Sequence, residues 1–230
     1  MSIEMRRTDP RVLPAYTTLE VAHYLAVPPA TVRYWALGRD RYVPLIVTPK
    51  HSPALLSFLN LAELHILASI RRVHAVKMPS IRKAIRFLKK RAQSPVDRKY
   101  PLLSRDLDTD GVDLFIEEYG SLINISKSGQ MAMREIIGAA LSRIERDPEG
   151  IPVKLYPFTR ADDIKNAPAM IVIDPNLSAG RPVIVGTGLA VQLIAERYKA
   201  GESINDLAQD YERSHEEIEE AVRCELPAAA

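Results

Sequence analysis

Two adjacent prolines, Pro28 and Pro29, place the strongest constraint on the N-terminal part of this chain, because they interrupt a pattern that is otherwise helical. Proline lacks the amide hydrogen that a helix interior needs, but it fits the first position of a new helix. Before the prolines, Thr17 and Glu20 have the spacing of a capping box, which begins a helix. After them, a second helical stretch ends before Gly38. The sequence therefore predicts two helices joined by a tight turn.

Each of these two helices is expected to have one apolar face. In the first helix, the residues at helical spacing are Leu19, Ala22 and Leu25. In the second helix, the residues predicted to face inward are Val32, Trp35 and Ala36. The residues left to point outward are Thr31, Arg33 and Tyr34. The guanidinium and hydroxyl groups of these residues can form hydrogen bonds with phosphate oxygens and base edges. We therefore predict that the second helix is a DNA recognition helix.

The next segment is predicted to supply a wing and two more helices. Short strands are expected over residues 42–47 and 55–59, around a loop of residues 48–53. A capping box formed by Asn60 and Glu63 predicts one helix, and a second is predicted from Pro79. That second helix would bury Ile81, Ala84, Ile85 and Leu88. Together with the recognition helix, five cations complete the predicted DNA-binding surface: Arg39, Arg41, Lys50, Arg82 and Arg86.

Charge is distributed unevenly along the chain. The whole sequence has 31 Lys and Arg against 29 Asp and Glu, a net charge of +2. Residues 1–99 have 18 Lys and Arg against 6 Asp and Glu, whereas residues 100–230 have 13 against 23. The first part therefore suits a polyanion, and the second part repels one.

The middle of the chain contains a pattern that resembles a calcium loop. Extended stretches are predicted over residues 100–107, 112–117 and 121–126, followed by a helix over residues 130–146. Residues 106–117 have the letters of an EF-hand loop, but the stretch around Pro101 is a poor helix end. We therefore expect a hairpin there and no calcium site. The five histidines lack the spacing of metal ligands, so neither a metal nor another cofactor is expected.

The C-terminal part is predicted to be a β-hairpin followed by three helices. The helices are expected over residues 191–200, 203–211 and 215–225, with Ser203 and Ser214 as caps. The last helix is acidic, because five glutamates accompany a single arginine, Arg223: Glu216, Glu217, Glu219, Glu220 and Glu225. Such a face would be repelled by phosphate and is better suited to a basic protein partner or to dimerisation.

The whole chain is thus expected to be α+β and mainly α. Three domains are predicted: a winged helix-turn-helix with a basic helix over residues 1–99, a small mixed α/β segment over residues 100–160, and a hairpin plus three-helix unit, itself helix-turn-helix-like, over residues 161–230.

Two stretches resemble known families. Residues 27–35, V-P-P-A-T-V-R-Y-W, resemble the MerR-type DNA-binding domain, which implies that Arg33 and Tyr34 face the DNA backbone. The sequence departs from that pattern at Pro28, where a capping Ser or Thr is usual. Residues 168–226 resemble the antitoxin-type domain of unknown function found in VapB-like partners of PIN-fold ribonuclease toxins. The positions that match this domain, with structural or partner-binding roles, are Asp174, Pro175, Gly180, Pro182, Gly186 and Thr187.

The resemblance implies a type II antitoxin that binds a PIN-like toxin and represses its own operon by binding double-stranded operator DNA. We expect a homodimer, because symmetric half-sites are the usual way to extend a short recognition element. Cys224 is the only cysteine and no run of eighteen apolar residues is present, so we expect a cytoplasmic protein with no membrane partner. No catalytic motif is found. The alternatives are a stand-alone MerR-like transcription factor that senses a small ligand through its middle domain, and an enzyme with a regulatory head.

Overall fold

The computed structural model describes residues 9–72, 78–104, 116, 127–160, 164 and 167–226. The chain is α+β and mainly helical, as predicted. The helices are α1 (Thr18–Tyr24), α2 (Pro29–Leu37), α3 (Phe58–Arg72), α4 (Met78–Arg91), α5 (Pro95–Lys99), α6 (Lys127–Leu141), α7 (Val191–Lys199), α8 (Ile204–Asp210) and α9 (His215–Glu225). Short 3₁₀ turns cover Pro101–Leu103 and Ser178–Gly180. The strands are β1 (Ile144–Arg146), β2 (Pro152–Leu155), β3 (Ile171–Val172) and β4 (Val183–Ile184).

The predicted pair of N-terminal helices is present. The Thr17 side chain accepts a hydrogen bond from the backbone of Glu20, and the Glu20 carboxylate accepts one from the backbone of Thr17 at 2.8 Å. Helix α2 begins at Pro29 without a side-chain cap and ends at Gly38. Its predicted inner residues are buried: Val32, Trp35 and Ala36. This confirms the helix–turn–helix arrangement of the two elements.

The first helix faces the core differently from the prediction. Leu19 is 60% exposed, whereas Val21 is fully buried. Ala22 and Leu25 are buried as expected. Helix α1 begins after Thr17 as predicted, but its buried face is centred on Val21, and Leu19, two positions earlier, lies on the opposite side of the helix.

The strand predicted over residues 55–59 is wrong. Leu56 forms only an isolated bridge with Tyr16, and helix α3 begins at Phe58. The cap of α3 is Ser57, whose hydroxyl accepts from the Asn60 amide at 3.3 Å while the Asn60 side chain accepts from the Ser57 amide at 3.1 Å. The helix therefore begins before the predicted Asn60 position. An apolar run this short does not distinguish a strand from a buried helix. Residues 42–47 likewise form no strand, so the predicted wing of two strands is absent.

Helix α3 forms the centre of the larger hydrophobic core. Every residue from Phe58 to Ile70 is buried, which is why its sequence lacks a polar face. It packs against α6, β2 and the first 3₁₀ turn, and this core extends from Tyr16 to Ile173. Residues of the predicted first and second domains therefore share one core, while the three-domain division remains a prediction.

The middle segment differs from the prediction at two places. Helix α6 ends at Leu141, and residues predicted to continue it form β1, which pairs antiparallel with β2. The pairing is closed by a turn in which Gly150 has a φ of +83°, and the Gly150 amide donates to the carbonyl of Asp147 at 2.8 Å. Residues 101–103 form the 3₁₀ turn instead of a strand. The calcium-like pattern and the strands predicted over residues 112–117 and 121–126 lie, apart from Ile116, outside the described residues.

The C-terminal unit agrees closely with the prediction. Strands β3 and β4 pair antiparallel, and helices α7 to α9 match the predicted ranges to within one residue. Both predicted caps are confirmed, because the Ser203 side chain accepts from the Asp206 amide and Ser214 forms a capping box with Glu217. A second, smaller core lies here, extending from Ile171 to Cys224.

No helix in the residue ranges given above combines the length and the apolar character needed to cross a membrane. Within the same ranges, no three or more His, Cys, Asp and Glu side chains are grouped as metal ligands would be.

Candidate nucleic-acid interface

The outward side of α2 presents the three residues predicted from the sequence. Arg33 is exposed, and Thr31 and Tyr34 are half-buried. Arg33 forms no ion pair with any residue that the structure describes. A free guanidinium on an exposed helix face can donate hydrogen bonds to phosphate oxygens or to guanine.

A small hairpin follows α2 directly and is closed by Arg39 and Tyr42. The Arg39 amide donates to the Tyr42 carbonyl at 3.0 Å, and the Tyr42 amide donates to the Arg39 carbonyl at 2.8 Å. Asp40, at the first position of the turn, has a φ of +47°, as tight hairpin turns require. Gly38 has a φ of +81°, and a Cβ there would lie 2.5 Å from the Tyr42 carbonyl oxygen, so only glycine fits.

A groove of about 510 Å³ separates α2 from this hairpin. It brings together three of the residues predicted to bind DNA, Thr31, Tyr34 and Arg39. Two further residues that line it, Tyr42 and Arg71, were not predicted from the sequence. The glycine after α2 and the aspartate two positions later were the only local signals for the hairpin that carries Tyr42.

Arg82 on α4 also reaches this region, but in a different way. Its Nη1 donates to the Val43 carbonyl at 2.6 Å. Its guanidinium carbon lies 5.3 Å from the ring centre of Tyr34 and 5.5 Å from that of Tyr42. The exposed Arg86, one turn later, donates from Nε to the Arg82 carbonyl at 3.2 Å. The predicted helix cations therefore divide into one that packs and one that remains at the surface.

The other predicted cations lie outside the groove. Arg41 is exposed at the turn of the hairpin, next to Arg39, whose Nε lies 3.4 Å from Asp40. Lys50 is exposed in the loop before α3. The structure thus groups Thr31, Tyr34, Arg39 and Arg82, and it leaves Lys50 away from the groove lining.

The positions that match the C-terminal motif mainly form turns. Asp174 is buried, and its side chain accepts from the Asn176 amide at 2.8 Å, which closes a turn that includes the half-buried Pro175. Gly180 has a φ of +78°, and its carbonyl accepts from the Tyr16 hydroxyl at 2.9 Å. A side chain at Gly180 would collide with that hydroxyl, so this glycine allows α1 to approach the C-terminal unit.

The remaining motif positions organise the β3–β4 hairpin and the start of α7. Pro182 is buried, and its carbonyl accepts from the Val191 amide at 3.0 Å. Gly186 has a φ of +74°. The Thr187 hydroxyl donates to the Ile184 carbonyl at 2.8 Å and accepts from the Leu189 amide at 3.1 Å. These contacts favour structural roles for the motif residues.

One glutamate of the acidic last helix is not on its surface. Glu220 is fully buried and accepts hydrogen bonds from Arg160 at 2.6 and 2.8 Å, from Thr159 and from Arg223. It lies on the same side of α9 as the buried Ala221. The acidic face predicted from five glutamates is therefore smaller, because Glu220 neutralises arginines inside the fold.

Three contacts join α1 to the C-terminal unit around a cleft of about 420 Å³. Besides the Tyr16–Gly180 hydrogen bond, Arg181 pairs with Glu20, and His23 Nε2 lies 3.4 Å from Glu225. The last helix therefore packs on the helix that precedes the proposed recognition helix.

Cys224 lies in the smaller core and is nine-tenths buried. Burial raises the pKa of its thiol to about 12, so the thiolate form needed for nucleophilic attack is scarce at neutral pH.

Comparisons with known proteins place similarity along most of the chain. A family model described as "Protein of unknown function (DUF433)" matches residues 171–223, which is the β3–β4 hairpin and the three following helices. A Mycobacterium tuberculosis (strain ATCC 25618 / H37Rv) protein named "Putative antitoxin VapB45" is 29% identical over 235 residues, covering 91% of this chain and 93% of that protein. Another from the same organism, "Uncharacterized protein Rv2308", is 27% identical over 217 residues, covering 90% and 88%.

A solved structure is also similar. The crystal structure of Rv2018 from Mycobacterium tuberculosis superposes with a TM-score of 0.68 at 25% sequence identity, covering 92% of this chain and 98% of that one. The similarity thus extends over most of both chains.

Proposed function

We propose that this chain is an antitoxin that neutralises a PIN-like ribonuclease toxin and binds operator DNA to repress its own operon. The observation that carries the DNA-binding part is the groove between α2 and the hairpin, where Thr31, Tyr34 and Arg39 meet beside the exposed Arg33. The MerR-like character of the helix pair is part of this proposal. Hydroxyl groups, an aromatic ring and the unpaired guanidinium of Arg33, all on preorganised backbone, suit a phosphate backbone.

The antitoxin part is supported by the similarity to the protein named "Putative antitoxin VapB45". The acidic C-terminal unit, which the matched family model covers, is the part that we propose for the toxin. The role proposed here is binding, without catalysis or a cofactor. We further propose that the protein acts in the cytoplasm as a homodimer, in which two copies of α2 contact symmetric half-sites.

DNA binding is tested with the full chain and a duplex that contains the DNA upstream of its own gene. We expect Arg33→Ala to lower the affinity in mobility-shift assays by ten- to a hundredfold, because it removes an exposed guanidinium group from the DNA-facing helix. Lys199→Ala is the matched control, since Lys199 is exposed on α7 in the acidic part. Equal affinity of wild type and Arg33→Ala would exclude α2 as the contact helix.

Toxin neutralisation is tested by co-expression. The PIN-like protein of an adjacent reading frame should arrest growth alone and lose this effect with the full chain. Growth arrest that persists despite a folded, co-expressed chain would contradict the antitoxin role. Light scattering of the full chain at micromolar concentration tests the dimer, and a strictly monomeric species with and without DNA would refute it.

A further inference from the structure

Arg82 is covered, unlike Arg86 one turn later on α4. It is half-buried, and its Nε and Nη2 are inaccessible to solvent, with no hydrogen-bond partner among the residues that the structure describes. Its remaining nitrogen, Nη1, is bonded to the Val43 carbonyl. Arg86 on the same helix is exposed. Arg82 therefore cannot present its donors to a phosphate without leaving its present contacts.

The contacts of Arg82 connect three elements. Its guanidinium faces Tyr34 of α2 and Tyr42 of the hairpin, and these two rings meet edge to face, with centres 6.0 Å apart. A guanidinium over aromatic faces is attracted by their π electrons, and more strongly where water is excluded. One side chain of α4 thereby fixes the position of α2 relative to the hairpin.

The hairpin is anchored at its end by the Leu45 amide, which donates to the Trp35 carbonyl at 2.8 Å, but it has little other support. It contains one isolated bridge, Arg39 with Tyr42. Tyr42 is 55% exposed and Val43 is 73% exposed, so burial contributes little here. An isolated two-stranded hairpin is marginal in water. The bond to the Val43 carbonyl and the stacking on Tyr42 are therefore a large share of what holds Arg39 and Arg41 in place.

We propose that Arg82 is a positioning residue of the DNA interface and not a phosphate contact. It fixes the hairpin and the Tyr34 ring in the arrangement that presents Arg39 and Arg41. The DNA part of this inference rests on the proposed function, whereas the structural part does not.

The structural part is tested without DNA by hydrogen exchange of the full chain. In Arg82→Ala, the protection of the Arg39 and Tyr42 amides should fall about tenfold, because the cation–π and carbonyl contacts are lost. Arg86→Ala is the matched control on the same helix and should leave both amides unchanged. Unchanged protection in Arg82→Ala would overturn the proposal.

A second variant tests the same inference if Arg82→Ala does not fold. Tyr42→Ala removes one of these contacts, the one between Arg82 and the Tyr42 ring, from an exposed position and keeps the amide, so the fold should hold. It should reduce the protection of the Arg39 amide as Arg82→Ala does, and the double variant should add little to either single change. Fully additive effects of the two substitutions would show that they act separately and would overturn the proposal.

The DNA part is tested by the dependence of affinity on salt. A residue that neutralises a phosphate contributes about 0.9 to the log–log slope. In Arg82→Ala, the loosened hairpin must be ordered when DNA binds, so the affinity should fall about tenfold, but Arg39 and Arg41 still reach their phosphates and the slope should stay unchanged. Arg33→Ala should lower both. A slope decrease for Arg82→Ala as large as that for Arg33→Ala would make Arg82 a phosphate contact and overturn the proposal. If the wild type binds no DNA, the proposed function fails, and hydrogen exchange alone decides whether Arg82 holds the hairpin.

Discussion

Some arginines of the two halves differ in whether a carboxylate pairs with them. In the N-terminal half, Arg33 and Arg41 are exposed and have no carboxylate partner among the described residues. In the C-terminal half, Arg197 pairs with Glu202 and with Asp210. The difference shows that a count of charges is a poor guide to a surface, because paired charges contribute little to the field that a distant partner meets.

Buried glutamates differ between the halves as well. Glu220 in α9 is fully buried and bonded to Arg160 and Arg223. Glu63 in α3 is also buried, but the hydrogen bond that it accepts from the Leu102 amide is long, at 3.5 Å. Burial raises the pKa of Glu63 from its ordinary value of 4.5 to about 8. One half therefore buries a carboxylate held by cations, and the other buries a carboxylic acid that is largely neutral at pH 7.

The largest effect should come from Glu220. Glu220→Gln replaces a carboxylate held by arginines with a neutral amide, and we expect unfolding free energy to fall by about 2–3 kcal/mol, the worth of hydrogen bonds to charged groups. Urea unfolding of the full chain measures this. Glu219→Gln, an exposed neighbour on the same helix, is the control and should change little. A fall no larger than that of the control would show that the buried network is unimportant to stability.

The next prediction compares the contributions of a free and a paired arginine to DNA binding. Arg41→Ala should lower the affinity for operator DNA about tenfold and the salt slope by about 0.9, as expected if its guanidinium neutralises one phosphate. Arg197→Ala, which removes a paired arginine from the other half, should leave both unchanged. The measurement is a salt series of binding isotherms. Equal losses for the two variants would contradict the proposed division of the surface.

Local signals predicted the parts of this fold that depend on neighbours in sequence. The capping boxes at Thr17 and Ser214 were identified because both partners lie within three residues. The start of α3 was misplaced, because a helix buried on all sides has no polar face to mark it. The covered state of Arg82 and the burial of Glu220 could not be predicted, since each depends on residues at least 39 positions away.

A smaller effect, opposite in sign to that of Glu220→Gln, is expected at Glu63. The raised pKa stabilises the native state fully below pH 4.5, and this contribution is lost as the pH rises through about 8. Glu63→Gln keeps the shape without the titration, so it should raise Tm at pH 8.5 by about 2–4 °C, equivalent to roughly 1 kcal/mol. It should change Tm little at pH 4. Calorimetry at the two pH values decides, and a lower Tm at pH 8.5 would show that the charged form is stabilised.

The smallest effect concerns the junction between the halves. Arg181 pairs with Glu20 and lies over the Tyr16 ring, with its guanidinium carbon 5.9 Å from the ring centre. Both members of the ion pair are about one-third exposed, so Arg181→Ala should lower unfolding free energy by no more than about 1 kcal/mol. Glu20 would keep its capping bond to the Thr17 amide, so α1 should remain and DNA affinity should change less than threefold. Gln192→Ala is the matched control, because Gln192 lines the same cleft and bonds to Glu196 on its own helix.

The size of the Arg181→Ala effect on DNA binding decides how separate the two halves are. A loss near threefold or less means that α2 and the hairpin keep their geometry without this contact, as the direct packing of α1 on α2 suggests. A loss of tenfold or more, with the fold intact and Gln192→Ala unaffected, would mean that the C-terminal unit sets the position of the recognition helix through α1. In that case the acidic half would contribute to DNA binding despite its charge. A change at its surface would then alter the position of α2 on the operator.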